Sequence, residues 1–131
     1  MTPKPDIGSP GMKPVEWLGN SRKTVRSWPK TVKEMVGEDL TVVQLGQYPA
    51  GCEGLPEVGK DVHCIRVRSG KEHYRVIWLA KIENCVYVLH AFHEKSKHGI
   101  ETPKQEKELA ARRLKDLEGE MSKRPNNQRS N

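Results

Sequence analysis

The spacing of hydrophobic residues in the first third of the chain predicts two helices. Between residues 30 and 45, apolar side chains recur at the three- and four-residue spacing of one helical face. This stripe consists of Val32, Met35, Val36, Leu40 and Val43. A shorter helix, capped by Asn20 or Ser21, is predicted to end at Trp28, because Pro29 disfavours a helical backbone at the residue before it. The two segments together predict a helical hairpin.

Strand-like runs occupy the middle of the chain after a Gly- and Pro-rich loop at residues 47–60. β-branched and aromatic residues dominate three runs, which are residues 62–68, 73–81 and 85–92. The connections between them are short, and Ser69-Gly70 and Glu83-Asn84 have turn chemistry, so neighbouring strands are expected to be antiparallel. A further short strand is predicted at residues 15–19, before the hairpin.

The last predicted element is a helix, and it completes an α+β fold. Thr102, Pro103 and Gln105 have the pattern of a capping box, and an apolar stripe follows as far as about Glu118. The stripe consists of Leu109, Ala110, Leu114 and Leu117. We expect a small antiparallel sheet packed by an N-terminal helical hairpin and a C-terminal helix. Residues 15–118 form the predicted domain, and residues 1–14 and 119–131 are expected to be disordered tails.

Charge, hydropathy and cysteine content indicate the kind of partner and the cellular location to expect. The formal net charge is +6 at pH 7, and such a basic surface attracts polyanions, among them nucleic acid and the ribosome. No apolar run approaches the roughly 18 residues of a membrane span, and no signal segment is seen at the N-terminus. Cys52, Cys64 and Cys85 are far apart in sequence, which suits reduced thiols in a cytoplasmic protein. We therefore expect a cytoplasmic location.

Basic side chains are predicted to gather on one face of the sheet. Strand alternation puts Arg75 on a mainly apolar face, and Arg66 and Arg68 share a face of the preceding strand. With His90 of the last strand, they would form a positively charged concavity. Guanidinium groups stabilise charge on a phosphate, and imidazole exchanges protons near neutral pH. Each residue also has a structural interpretation: Arg66 and Arg68 as solvated strand residues, Arg75 paired with an acid, and His90 as a core histidine.

The sequence gives less support for a metal site, a phosphate-binding loop or a cysteine nucleophile. His90 is expected to share a face with Val86, Val88 and Phe92, whereas His93, three residues on, would point to the opposite side. This spacing argues against a metal site, and no paired-cysteine or His-Glu-x-x-His motif is present. No Gly-rich phosphate loop has the required spacing, and no cysteine has an activating context. The sequence therefore predicts neither a metal nor a cofactor.

Four short sequence motifs in a fixed order resemble those of a known protein family. They are YRV at residues 74–76, VLHAF at residues 88–92, KS at residues 95–96 and TP at residues 102–103, and residues 17–40 add the typical opening. The chain resembles the phage-derived Gp49-like group of HigB toxins, within the RelE/ParE superfamily. The resemblance covers nearly all of the predicted domain, and the predicted element order agrees with the RelE-like fold.

The resemblance implies the toxin of a type II toxin–antitoxin system. Most RelE- and HigB-like relatives are metal-free endoribonucleases that inhibit translation by cutting mRNA in the A site of the small ribosomal subunit. The expected partner is a helix-turn-helix HigA-like antitoxin that neutralises the toxin. Arg75 matches the arginine that stabilises phosphate, and Lys95 matches a basic residue that stabilises phosphate or protonates the leaving group. The catalytic candidates are Arg75, Lys95, His90 and His93, and the RNA-binding candidates are Arg66, Arg68, Lys81 and Lys97.

Two alternatives remain open at this point. ParE-like relatives share the fold but inhibit DNA gyrase by binding, and a basic module without catalysis would bind RNA or a partner with strong salt dependence. The chain departs from the family pattern at Glu94, where many relatives carry a second lysine, and at Cys64, where they carry glutamate.

Overall fold

The chain forms three helices and five strands over the residues that the structure describes. A computed structural model describes residues 11–82, 84–95 and 102–123, and for residues 81, 82 and 95 it describes only the backbone. The elements are β1 (Val15–Trp17), α1 (Ser21–Arg26), α2 (Lys30–Gln44), β2 (Glu53–Gly54), β3 (Val62–Ser69), β4 (Glu72–Ile82), β5 (Cys85–Lys95) and α3 (Lys104–Lys123). The predicted order is confirmed, and β2 is an additional two-residue strand within the predicted loop.

The strands form one mixed sheet in the order β1-β5-β4-β3-β2. Strands β2 to β5 pair antiparallel, but β1 pairs parallel with β5, with Val15 opposite Val86 and Trp17 opposite Val88. The α+β class is confirmed, whereas a wholly antiparallel sheet is wrong. Short turns force antiparallel pairing only between consecutive strands, and both helices of the hairpin and three strands separate β1 from β5.

The sheet lies between two hydrophobic layers. Val36 of α2 packs in one cluster with Val76 and Val88, on what we call the hairpin face of the sheet. Leu114 of α3 packs in the other cluster with Ile77, on the opposite face. Burying each such aliphatic side chain contributes about 1.5–3 kcal/mol. The core therefore fixes both helical layers against the sheet that carries the basic residues.

Local boundaries follow the predicted turn and stop residues. Gly46 ends α2 with a φ of 87°, and Gly70 and Asn84 adopt positive φ in the turns on either side of β4. Glycine and asparagine tolerate this left-handed conformation better than other residues. Met35, predicted in the buried stripe, is 43% exposed and lies outside the core.

Both ends of the described chain extend further than expected. Helix α3 continues to Lys123, so the prediction of a helix end near Glu118 is wrong. The backbone of Lys13 donates a hydrogen bond to the Gln44 carbonyl, and the Pro14 carbonyl accepts one from Val86. The remaining residues of the predicted tails, 1–10 and 124–131, lie outside the described residues. No helix among the described residues is long and apolar enough to cross a membrane.

Candidate active site

Two arginines face each other across neighbouring strands. In the β3–β4 register Arg66 lies opposite Arg75, and Arg68 lies opposite His73. Residues paired in this way have Cα atoms about 4.5–5.5 Å apart and side chains on the same side of the sheet. We call the side of the sheet that bears these four residues the arginine face. Like charges directly opposite each other destabilise a sheet, so the arrangement favours an anion bound between them.

The guanidinium of Arg75 is enclosed between the sheet and the start of α3. The residue is 1% exposed, and its Nη1 donates a hydrogen bond to Oγ1 of Thr102 over 3.2 Å. Thr102 was predicted as a helix cap, and its hydroxyl serves Arg75 in the structure. A buried guanidinium held by a hydrogen bond has a fixed orientation, because other rotamers would lose polar contacts. Arg75 is thus preorganised.

His73 completes the arginine face and was not among the candidates predicted from the sequence. It is 9% exposed, and its Nε2 has no hydrogen-bond partner among the described residues. Burial lowers the pKa of His73, the guanidiniums of Arg75, Arg68 and Arg66 lower it further, and Glu94 opposes them. The ring is therefore neutral near pH 7 and able to accept a proton. Alternation could have identified it, since His73 lies two residues before Arg75.

Arg66 and Arg68 form the accessible part of the arginine face. Nη1 of Arg66 pairs with Oε1 of Glu53 over 2.8 Å, and 29% of the Arg66 side chain is exposed. Nε of the exposed Arg68 donates to the Gly70 carbonyl over 3.3 Å. Such partly exposed pairs are weak, so an incoming phosphate competes with Glu53 at small cost. The prediction that both arginines share a face with Cys64 agrees with the register.

His90 reaches the same side of the sheet through a β-bulge. The register shifts between Ile77, which pairs with His90, and Trp78, which pairs with Val88. Because Leu89 is the extra residue, His90 follows it onto the arginine side, where His90 stacks on Phe92. The prediction that Val86 and Val88 share a face with His90 and Phe92 is therefore wrong. The two valines pack on the hairpin face.

Both ring nitrogens of His90 are engaged by α3. Nε2 lies 2.6 Å from Oε1 of Glu106, and Nδ1 lies 3.4 Å from Nη1 of Arg113. A carboxylate accepts and a guanidinium donates, so the consistent tautomer carries its proton on Nε2. These contacts favour a positioning role for His90. Glu106 and Arg113 were not predicted, because their contacts depend on how α3 docks.

His93 lies on the hairpin face, away from Arg75 and His90. Its Cα partner is Tyr74, its ring stacks on Tyr74 with centroids 5.0 Å apart, and its Nε2 lies 3.6 Å from Oε1 of Glu72. Tyr74 in turn meets Trp28 edge to face. The structure thus does not bring His93 together with the other catalytic candidates.

The lysine candidates are described only in part. Lys81 and Lys95 belong to β4 and β5, and the register puts Lys95 opposite Glu72, but their side chains are outside the described part of the structure. Lys97 lies outside the described residues altogether. The predicted roles of these three lysines stay predictions.

The thiol and carboxylate groups give no other reactive centre in the described part of the chain. Burial raises the pKa of Cys64 to about 12, so this thiol stays protonated despite its proximity to Arg75 and Arg66. Cys52 and Cys85 are also free thiols. Among the described residues, no three His, Cys, Asp or Glu side chains are placed to hold a metal. The polar groups of the arginine face are the guanidiniums of Arg66, Arg68 and Arg75 and the imidazole of His73.

Comparison with known proteins identifies the family and agrees with the fold. The sequence profile of the family described as "Phage derived protein Gp49-like (DUF891)" matches residues 23–115. Among solved structures, a free-state double arginine-to-alanine mutant of the E. coli toxin RelE matches with a TM-score of 0.54 and 19% identity. The match covers 81% of this chain and 98% of the RelE chain. Comparison with curated proteins gives no significant match.

Proposed function

Since the chain belongs to the phage-derived Gp49-like family and has the fold of a RelE toxin, we propose that it is the toxin of a type II toxin–antitoxin system and cleaves mRNA. The observation that carries the proposal is the arginine face, where Arg66 lies opposite Arg75 and Arg68 lies opposite His73. Two guanidiniums and a neutral imidazole on one face match the needs of phosphodiester cleavage better than those of simple binding.

The proposed reaction needs no metal. Arg75 and Nε2 of His73 are buried in the free protein, so we propose that binding of RNA uncovers them. The 2′-hydroxyl of the RNA then gives its proton to Nε2 of His73 while its oxygen attacks the adjacent phosphorus. Arg75 and Arg66 stabilise the added negative charge of the phosphorane. The bond to the 5′-oxygen then breaks, and Lys95, which the resemblance alone assigns to this step, protonates the leaving oxygen from the end of β5. The products are a 2′,3′-cyclic phosphate and a 5′-hydroxyl end.

Glu94 has a supporting role in this scheme. It lies opposite His73 across the β4–β5 ladder. Once His73 has taken the proton, the Glu94 carboxylate stabilises the imidazolium, as an opposite charge does at short range. The departure from the family pattern at Glu94 is therefore compatible with catalysis in this chain.

The finer features of the proposal come from the resemblance to HigB toxins. We propose that cleavage occurs in the cytoplasm on translating ribosomes, where the net charge of +6 favours association with ribosomal RNA. We also propose that a helix-turn-helix antitoxin, expressed together with the toxin, binds and neutralises it. Arg68, Lys81 and Lys97 would contact RNA phosphates around the cleavage point.

Alanine substitutions at the arginine face test the proposal. We expect Arg66→Ala and Arg75→Ala to lower cleavage about 10²–10³-fold each, as removal of one preorganised donor does elsewhere. Arg22→Ala, an exposed arginine on α1, is the matched control and should leave cleavage unchanged. Growth arrest and transcript integrity are measured after induction, with circular dichroism to establish folding.

The same variants can also contradict the proposal. Arg66 is partly exposed, so Arg66→Ala keeps the core intact even if loss of the buried Arg75 unfolds the protein. Full cleavage by folded Arg66→Ala and His73→Asn proteins would contradict the assignment of the arginine face. Equal losses in Arg22→Ala would attribute the effect to total charge.

A further inference from the structure

Three aromatic rings pack together at the opposite end of β3 from Arg68, on the hairpin face, and we call this cluster the stack. The His63 ring stacks on Trp78 with centroids 5.1 Å apart, and the Tyr48 ring lies 4.8 Å from His63 and 6.0 Å from Trp78. Trp78 is 2% exposed, whereas Tyr48 is 59% exposed, the largest exposure among the large hydrophobic side chains described. The core therefore holds one end of the stack and the other end is open to solvent.

A small pocket adjoins this stack and offers hydrogen-bond donors. It has a volume of about 100 Å³, and Lys13, Gln47, Tyr48 and Trp78 contribute to its wall. Among the described residues, no carboxylate lines it. Nζ of Lys13 contacts only the Ala80 carbonyl among the described residues, at 3.4 Å. Nε1 of Trp78 is buried without an acceptor in the described part of the chain. The donors that a ligand in this pocket can reach are therefore those of Lys13 and the exposed Gln47.

We propose that Tyr48, His63 and the adjoining pocket form a base-stacking subsite for single-stranded RNA. An exposed aromatic ring binds the flat face of any base, and neighbouring cations bind the backbone, which is how single-stranded nucleic acids are commonly held. Tyr48 supplies the ring, and Lys13 supplies the charge. The proposal rests on the proposed function, because it identifies where the RNA continues beyond the cleavage point.

The position of the stack relative to the arginine face supports this assignment. His63 and Arg66 lie on the same strand, three residues and about 10 Å apart along β3. Strand β2 pairs only with His63 and Cys64, so no strand within the described residues pairs with the outer edge of β3 at Arg66. An RNA strand passing around this edge would have one base on Tyr48 and a phosphate a few nucleotides away between Arg66 and Arg75.

Binding of an RNA that cannot be cleaved tests the subsite apart from catalysis. The probe is a ten-nucleotide, 2′-O-methylated single-stranded RNA with a fluorescent end label, which lacks the attacking hydroxyl. We expect Tyr48→Ala to weaken binding about five- to 150-fold, the effect of losing one stacked base, and Tyr48→Phe to bind like the wild type. Met35→Ala, an exposed apolar side chain elsewhere on the hairpin side, should have no effect.

The outcomes separate this proposal from the proposed function. Unchanged binding by Tyr48→Ala overturns the subsite, whether or not the protein cleaves mRNA. If Tyr48→Ala weakened an antitoxin complex but not RNA binding, the stack would be a protein-docking surface and the proposal would be wrong. If RNA binding depended on Tyr48 but the protein cleaved no transcript, the base-stacking subsite would be supported and the proposed nuclease activity would be wrong. Thermal unfolding of both Tyr48 variants establishes that they are folded.

Discussion

Gly19 leaves room for the Arg113 side chain of α3, and replacing this glycine should be costly. The residue lies between β1 and α1 with a φ of 56°. A Cβ atom at Gly19 would lie 2.5 Å from Cζ of Arg113 and 2.7 Å from its Nε and Nη2. Such contacts are too short for unbonded atoms, so Gly19→Ala must displace the Arg113 side chain.

Arg113 makes the contacts that this displacement would break. Nη1 donates to the Leu89 carbonyl over 3.0 Å, and Nη2 donates to Oδ1 of Asn20 over 3.1 Å. The left-handed backbone costs an alanine about 1–2 kcal/mol, and one lost hydrogen bond to a charged group costs about 1.5–3 kcal/mol. We expect Gly19→Ala to lower the free energy of unfolding by about 2.5–5 kcal/mol.

Urea unfolding with a matched glycine measures this effect. Gly46 also has positive φ, but a Cβ added there meets no atom within 4 Å, so Gly46→Ala should cost only the backbone term. Arg113→Ala removes the obstacle, so the double variant Gly19→Ala/Arg113→Ala should cost less than the two single changes together. Equal costs for Gly19→Ala and Gly46→Ala, or strict additivity with Arg113→Ala, would refute the reasoning.

Three further predictions concern groups around the arginine face. The pKa of His73 is lowered from its usual value of 6.5, so the contribution of this residue to the free energy of unfolding should be fully present above pH 6.5. The contribution should be lost as the pH drops towards the folded-state pKa. The urea midpoint of His73→Asn should therefore depend less on pH in this range than that of the wild type, and parallel profiles would contradict this. With a pKa of about 12, Cys64 should be alkylated by iodoacetamide much more slowly than half-buried Cys52, as mass spectrometry of labelled peptides would measure, and equal rates would argue against it. Glu106→Ala leaves Nε2 of His90 without its acceptor and should lower the free energy of unfolding in urea by about 1–3 kcal/mol, whereas Glu106→Gln should cost less; equal losses would not fit this network.

The helices and strands could be predicted from the sequence where one local pattern decides the structure. Helical spacing identified α2, and strand alternation with short turns identified the β3–β5 meander, since consecutive strands joined by a tight turn pair antiparallel. The parallel pairing of β1 was missed because it depends on chain packing over long sequence separation. Met35 satisfies the helical spacing but is exposed, because spacing alone does not set the width of the buried stripe.

The candidate site was predictable in its arginines and less so in its histidines. Alternation within each strand, together with the register set by the short turn, puts Arg66 and Arg75 on one face, and the same reasoning would have found His73. The side of the sheet that His90 occupies was not readable, because the bulge at Leu89 reverses the alternation and has no sequence signal as clear as a glycine. The contacts of Arg113 depend on the docking of α3, which local patterns do not encode.

Mapping of transcript 5′ ends after induction tests the central claim most directly. We expect new 5′ ends within the translated codons of transcripts from cells that express the wild-type protein. These ends should disappear when translation is blocked and should be strongly reduced in Arg66→Ala and His73→Asn. Growth arrest with intact transcripts would contradict the nuclease and favour inhibition of gyrase, and absence of arrest with folded protein present would favour a binding module without catalysis.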